Sequence, residues 1–130
     1  MHEVIGLDTG FFIQLIRGHR DCVQLWSALG DSFRGVVSCI TLAEIERLAL
    51  RGKIELTAAE TLRDAIPAVC EIIWIDTPDV LKRAARLSHG AGLSMIDAVI
   101  LACLLAGGAE TVWTTDANFQ RYTGVRVQII

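Results

Sequence analysis

Four carboxylates stand out for where they fall in the chain: Asp8, Glu44, Asp97 and Asp116. Asp8 closes the apolar run Val4-Ile5-Gly6-Leu7 and is followed by Thr9-Gly10. Glu44 and Asp97 each come three residues after a hydroxyl, Thr41 and Ser94, where apolar helical patterns open. Asp116 follows the run Thr111-Val112-Trp113-Thr114-Thr115. Several carboxylates with few bases nearby suit a hard cation, Mg²⁺ or Mn²⁺, bound through oxygen. Asp97 makes the case most sharply: besides His89 it is the only acidic or basic residue between Arg86 and Glu110. A carboxylate buried there without a cation or a full set of donors would be costly.

Each acid also has a plainer role open to it. Thr41-Leu42-Ala43-Glu44 and Ser94-Met95-Ile96-Asp97 fit the capping box, in which the acid satisfies a backbone N–H at a helix start. Thr57-Ala58-Ala59-Glu60 fits it too, with no chemistry attached. Asp8 can serve as a turn residue, and Asp116 can cap a turn before Phe119. The four acids together, drawn from separate stretches, favour a shared site over four unrelated caps.

The elements that must position them alternate. Strands are expected at Glu3 to Leu7, Gly35 to Cys39, Ile72 to Ile75, Thr111 to Thr114 and Val125 to Ile129. Helices are expected from Phe11 to Ile16, and from Asp21 to Leu29 with Asp21 as cap. Thr41 opens one over Leu42 to Arg51; the next runs from Thr57 to about Ala65, closed by Pro67. Thr77-Pro78 starts another that reaches about Ser88, before a connector from His89 to Leu93. Met95 to Ala106 is apolar nearly all round and therefore central. Asn118 to Tyr122 forms a short turn. Such alternation predicts a three-layer α/β/α sandwich around a mainly parallel, roughly five-stranded sheet, with residues 1–130 as one domain. Sites in such sheets form beyond the carboxyl ends of the strands.

Hydrophobic residues make up 52% of the 130 residues and charged ones 21%, enough to bury a core. The longest apolar stretch, near Ala98 to Ala106, falls well short of a membrane span. Met1-His2-Glu3 lacks the basic and apolar regions of a secretion signal. Cys22, Cys39, Cys70 and Cys103 are widely spaced in apolar stretches, which fits free thiols in a reducing cytoplasm. His2, His19 and His89 stand alone and are expected to be solvated. The net charge of −3 disfavours a nucleic-acid partner, but with the four acids set aside eleven acids face twelve Lys and Arg, a balance that permits one. Phosphate loops, dinucleotide fingerprints and nucleophile elbows are missing from the sequence.

The chain resembles PIN domains, and specifically VapC-type toxins of toxin–antitoxin pairs. The matching pieces, in the family's order, are Ile5-Gly6-Leu7-Asp8-Thr9, Val37 to Glu44, Gly92 to Ala98, Thr114 to Phe119, and Gly124-Val125-Arg126-Val127. This resemblance implies a Mg²⁺- or Mn²⁺-dependent endoribonuclease, with Asp8, Glu44, Asp97 and Asp116 as its acidic quartet and Thr9, Thr114 and Thr115 as supporting hydroxyls. It further implies an RNA substrate, a VapB-type antitoxin and a homodimer. Two positions depart from the family pattern: Gly10, where serine or asparagine is commoner, and Asn118, where aspartate often stands. Arg17, Arg20, Arg47, Arg51, Lys53, Arg83, Arg86 and Arg121 are candidates for the substrate path. Phe11, Phe12, Leu15 and Trp26 are candidates for the antitoxin surface, with core as the plainer role. A housekeeping PIN nuclease and a silent RNA- or protein-binding domain are the competing expectations.

Overall fold

The computed structural model describes residues 2–130. Among these residues one five-stranded sheet, parallel throughout, runs in the order β3-β2-β1-β4-β5. The strands are β1 (Glu3–Leu7), β2 (Phe33–Ser38), β3 (Glu71–Ile73), β4 (Thr111–Thr114) and β5 (Arg126–Ile129). The helices are α1 (Thr9–Ile16), α2 (Arg20–Ala28), α3 (Cys39–Leu50), α4 (Leu56–Val69), α5 (Pro78–Ala91) and α6 (Met95–Ala106), with a 3₁₀ turn at Ala117–Arg121. The expected three-layer α/β/α architecture is the one found.

Winding starts at β1, moves outward through β2 to β3, then crosses back to β4 and β5. The reversal falls between β1 and β4, whose register pairs Ile5 with Thr111 and Leu7 with Trp113. Neighbouring strands whose connections leave toward opposite faces open a crevice at their carboxyl ends. Asp8 follows β1 and Asp116 follows β4, so chain order alone brings both to that crevice.

Alternation along the strands separates two cores. Val36 and Val112 face α6, packing with Leu101, Leu104 and Phe119. Val37 and Leu7 face the other layer, with Phe11, Phe12 and Ile66. Burying a side chain of this size contributes roughly 1.5–3 kcal/mol. Phe11 and Phe12 have no exposed surface and are core, the plainer of the two roles open to them; they do not line a partner surface. Cys22, Cys70 and Cys103 are buried free thiols.

Several boundaries differ from those expected, each for a local reason. The third helix starts at Cys39, two residues before the expected cap, because Ser38 Oγ accepts the Ile40 N–H at 3.2 Å. Thr41 is thus inside α3 and buried, not a cap. β3 ends at Ile73 because its partner β2 ends at Ser38, leaving Trp74 and Ile75 nothing to pair with. Helix α4 passes through Pro67, since the missing N–H affects only its last turn, and the Cys70 N–H closes on Ile66 O at 2.8 Å. Helix α5 continues through Gly90 and stops at Gly92, whose φ of 69° is the left-handed cap. His19 caps α2 in place of Asp21, its Nδ1 3.4 Å from Cys22 N, and so is not merely a solvated histidine.

Candidate functional site

Asp8 terminates the central strand and is only 7% exposed. Its backbone N–H donates to Trp113 O at 3.1 Å, continuing the β1–β4 ladder, and its carbonyl accepts the Phe11 N–H at 3.0 Å, starting α1. Those two bonds fix the backbone from which the carboxylate projects. Oδ2 accepts a 2.8 Å bond from the buried Thr114 hydroxyl. Burial pushes the Asp8 carboxyl up from 3.8 to about 6; the Thr114 hydroxyl and the Thr9 N–H pull it down, and the charges of Glu44 and Asp97 push it up again. A carboxylate this buried, with like charges around it, is more stable beside a cation.

Glu44 lies in the second turn of α3, where backbone N–H groups already have helical partners. The earlier start of α3 removes the capping role open to it. Its Oε1 accepts instead from Thr9 Oγ1, thirty-five residues away, and Thr9 Oγ1 lies 3.4 Å from Thr41 Oγ1. The first residue of α1 thereby ties the acid to the end of β1.

Asp97 stands in the first turn of α6, where Ser94 Oγ accepts its N–H at 3.2 Å. Here the capping geometry expected of Ser94 is present. Burial raises the pKa of the Asp97 carboxyl, the Ser94 hydroxyl opposes the rise, and neighbouring Asp116 adds to it. Asp116 does what its plainer role predicts: its Oδ1 caps the 3₁₀ turn through the Asn118 N–H at 2.9 Å. Its own N–H donates to Thr114 Oγ1 at 3.0 Å.

Asp8, Glu44 and Asp97 line a single cleft of about 230 Å³, together with Thr9, Gly10 and Thr115. Asp116 is not among its walls but stands against Asp97. As they lie, no three acidic, His or Cys side chains among the described residues converge on one point, and Asp8 and Glu44 each accept a hydroxyl bond. The donors are nonetheless all oxygen, one is deeply buried, and their charges repel. That set fits a hard divalent cation. Larger hollows lie elsewhere, including an apolar one of about 770 Å³ between α3, α4 and β3, away from this chemistry.

Arg47 and Arg51 also line the acidic cleft. Their spacing from Glu44, three and seven residues, puts all three on one face of α3. That periodicity is visible in the sequence, but it singles them out only once Glu44 is placed. Gly10 has its reason in the fold: a Cβ there would lie 2.2 Å from Thr115 Oγ1. Thr115 occupies the room that a side chain at position 10 would need.

A doubly wound parallel sheet with carboxylates in the crevice where its strand order reverses defines a class of site-bearing α/β domains. The PIN domain pattern matches residues 5–125, and the chain belongs to the PIN-domain family. Among solved structures it is similar to a toxin–antitoxin complex from Klebsiella pneumoniae, with 26% identity, 93% of this chain and 94% of that one covered, and a TM-score of 0.71. VapBC-1 from nontypeable Haemophilus influenzae shares the fold at 20% identity, 97% coverage of both chains and a TM-score of 0.74. So does Mycobacterium tuberculosis VapC20, a sarcin-ricin loop cleaving toxin, at 21% identity, 94% and 98% coverage and a TM-score of 0.70. No curated protein matches the chain. Among the described residues no helix is long and apolar enough to cross a membrane.

Proposed function

We propose that this chain is a divalent-metal-dependent endoribonuclease, the toxin of a type II toxin–antitoxin pair. The observation that carries this reading is the meeting of Asp8, Glu44 and Asp97 in one cleft at the carboxyl edge of the sheet. Kinship with PIN domains and likeness to the Klebsiella toxin–antitoxin complex support it.

In this reading Asp8, Glu44 and Asp97 would hold Mg²⁺ or Mn²⁺, with Asp116 beside Asp97 adding to the negative charge. When bound, such an ion would supply positive charge that acidifies water and offsets the charge developing on the phosphoryl oxygens. Thr114 and Thr9 orient Asp8 and Glu44 through the bonds described above. Thr115, against Gly10 at the cleft wall, keeps the loop after β4 in register. Arg47 and Arg51 hold the phosphodiester as it enters. Water, not the ribose 2′-hydroxyl, attacks phosphorus and the P–O3′ bond breaks, with the 3′-oxygen leaving as a hydroxyl, so the products carry a 5′-phosphate and a 3′-hydroxyl.

An antitoxin segment would find an apolar hollow of about 380 Å³ between α1, α2 and α4, lined in part by Leu15, Ile16, Trp26 and Leu62. In this reading Leu15 and Trp26, half-buried against the core, would face the partner from that hollow. The decisive experiment is RNA cleavage with Mg²⁺ by wild type and Asp97→Asn, with EDTA as control. Equal rates for the two proteins would refute the assignment. Expression alone should harm the host, and coexpression with the adjacent small reading frame should rescue it.

One observation favours a silent binding domain: Asp116 Oδ1 serves as a turn cap. A thermal melt separates the two readings, because an ion-binding site gains stability with Mg²⁺ and a set of caps does not.

A further inference from the structure

Apart from the acidic cleft lies a second hollow of about 720 Å³, walled by α5 and by the chain leaving the 3₁₀ turn. Its charge is lopsided: Lys82, Arg83, Arg86 and Arg121 face it, against one acid, Asp79. Val80, Ala84 and Leu87 take the buried face of α5, which leaves the cations on the open one. Elsewhere Arg34, Arg63 and Arg126 each pair with a glutamate. Among the described residues none of the four cleft cations forms such a pair. Like charges three and four apart on a helix repel, and an anion laid across them removes that cost.

The hollow also has a fixed aromatic wall. A Cβ on Gly124 would fall 2.3 Å from the Tyr122 hydroxyl and 2.4 and 2.8 Å from its ring carbons, so the ring lies over the bare glycine. Tyr122 packs against the α6 core on its inner side and lines the hollow on its outer side. A held tyrosine beside clustered cations is how single-stranded nucleic acids are bound without regard to sequence: stacking for a base, charge for the phosphates.

Position links this hollow to the acids. Arg121 Nη1 donates to Gly92 O at 3.0 Å, bridging its two walls. Gly92 leads directly into the α6 turn that carries Asp97. Arg121 ends the 3₁₀ turn that Asp116 caps, about 10 Å along at the usual rise for such a turn.

We propose that this cleft binds the backbone of single-stranded RNA, with Tyr122 offering a face to a base, and so presents the strand to the acidic site. The identity of the strand rests on the ribonuclease reading; the cleft itself is tested without cleavage. Binding of a fluorescein-labelled oligouridylate is followed by anisotropy in EDTA over a range of salt, with the full chain. The double variant Lys82→Ala/Arg86→Ala should bind at least tenfold more weakly, and its salt slope should fall by about 1.4, at about 0.7 for each phosphate no longer neutralised. Arg34→Ala, near the far edge of the sheet, should bind as wild type does. Circular dichroism checks that each variant is folded.

Wild-type affinity and slope in the double variant overturn the proposal, even where Asp97→Asn abolishes cleavage. Cleft-dependent binding by a wild type that leaves RNA intact with Mg²⁺ upholds the cleft and removes the nuclease reading instead. If the double variant keeps its RNA affinity but no longer copurifies with a coexpressed antitoxin, the cleft belongs to an acidic protein segment and the proposal falls.

Discussion

Thr114 Oγ1 donates a 2.8 Å hydrogen bond to Asp8 Oδ2 and accepts one from the Asp116 N–H at 3.0 Å, so one buried hydroxyl joins the acids that follow β1 and β4. Thr114→Val keeps the shape and removes both bonds. Asp8 loses the hydroxyl that lowers its pKa, and the Asp116 N–H loses its acceptor. We expect a loss of about 1–3 kcal/mol in urea unfolding, with cleavage needing higher pH or more Mg²⁺ than in the wild type.

Asp8 makes stability depend on pH. Its folded carboxyl titrates near 6 against an ordinary 3.8. The native state therefore holds its proton more tightly than the unfolded chain, and stability falls as pH rises through the window from about 4 to 6. A shift of about two units corresponds to about 3 kcal/mol. Asp8→Asn should flatten this window and be the more stable protein at pH 8, as judged by denaturant midpoints. A steeper decline in Asp8→Asn than in wild type would contradict it.

Divalent cations should act in the opposite sense. They require the ionised carboxylates, so Mg²⁺ should raise the melting temperature at pH 8 and have little effect at pH 4.5. At a hundred times the dissociation constant the gain is about 2.7 kcal/mol. Neither Asp8→Asn nor Asp97→Asn should show the full gain.

Glu44→Gln tests the acid whose capping role the fold removed. The amide still accepts from Thr9, so the fold should hold, while cleavage drops by about a hundredfold or more through loss of charge. Activity within twofold of wild type would place Glu44 outside the chemistry.

Gly10 and Thr115 are a packing pair. Gly10→Ala should destabilise by about 1–3 kcal/mol, because the new methyl meets Thr115 Oγ1 at 2.2 Å and Cγ2 at 2.9 Å. Adding Thr115→Ala removes both of those atoms and should recover much of the loss. A double-mutant cycle in urea reads the coupling, and strict additivity would show that the two side chains do not compete.

Much of this protein is legible in its sequence. β1, α6 and β4 have the bounds their residues predict, because caps, glycine stops and apolar periodicity are local signals. The alternation of strands and helices implies a parallel sheet, and the placing of Asp8 and Asp116 after strands implies one edge. What needed the tertiary structure was everything set by a distant partner. The start of α3 three residues early, which frees Glu44 from capping, depends on where β2 stops pairing and Ser38 takes over. The bonds from Thr9 to Glu44 and from Thr114 to Asp8 span 35 and 106 residues, and no spacing rule reaches so far. Eight basic residues look alike along the chain. Only the strand order and the helix faces place Arg47 and Arg51 among the acids, and Arg83, Arg86 and Arg121 around Tyr122, because a charge takes its role from what the fold lays beside it.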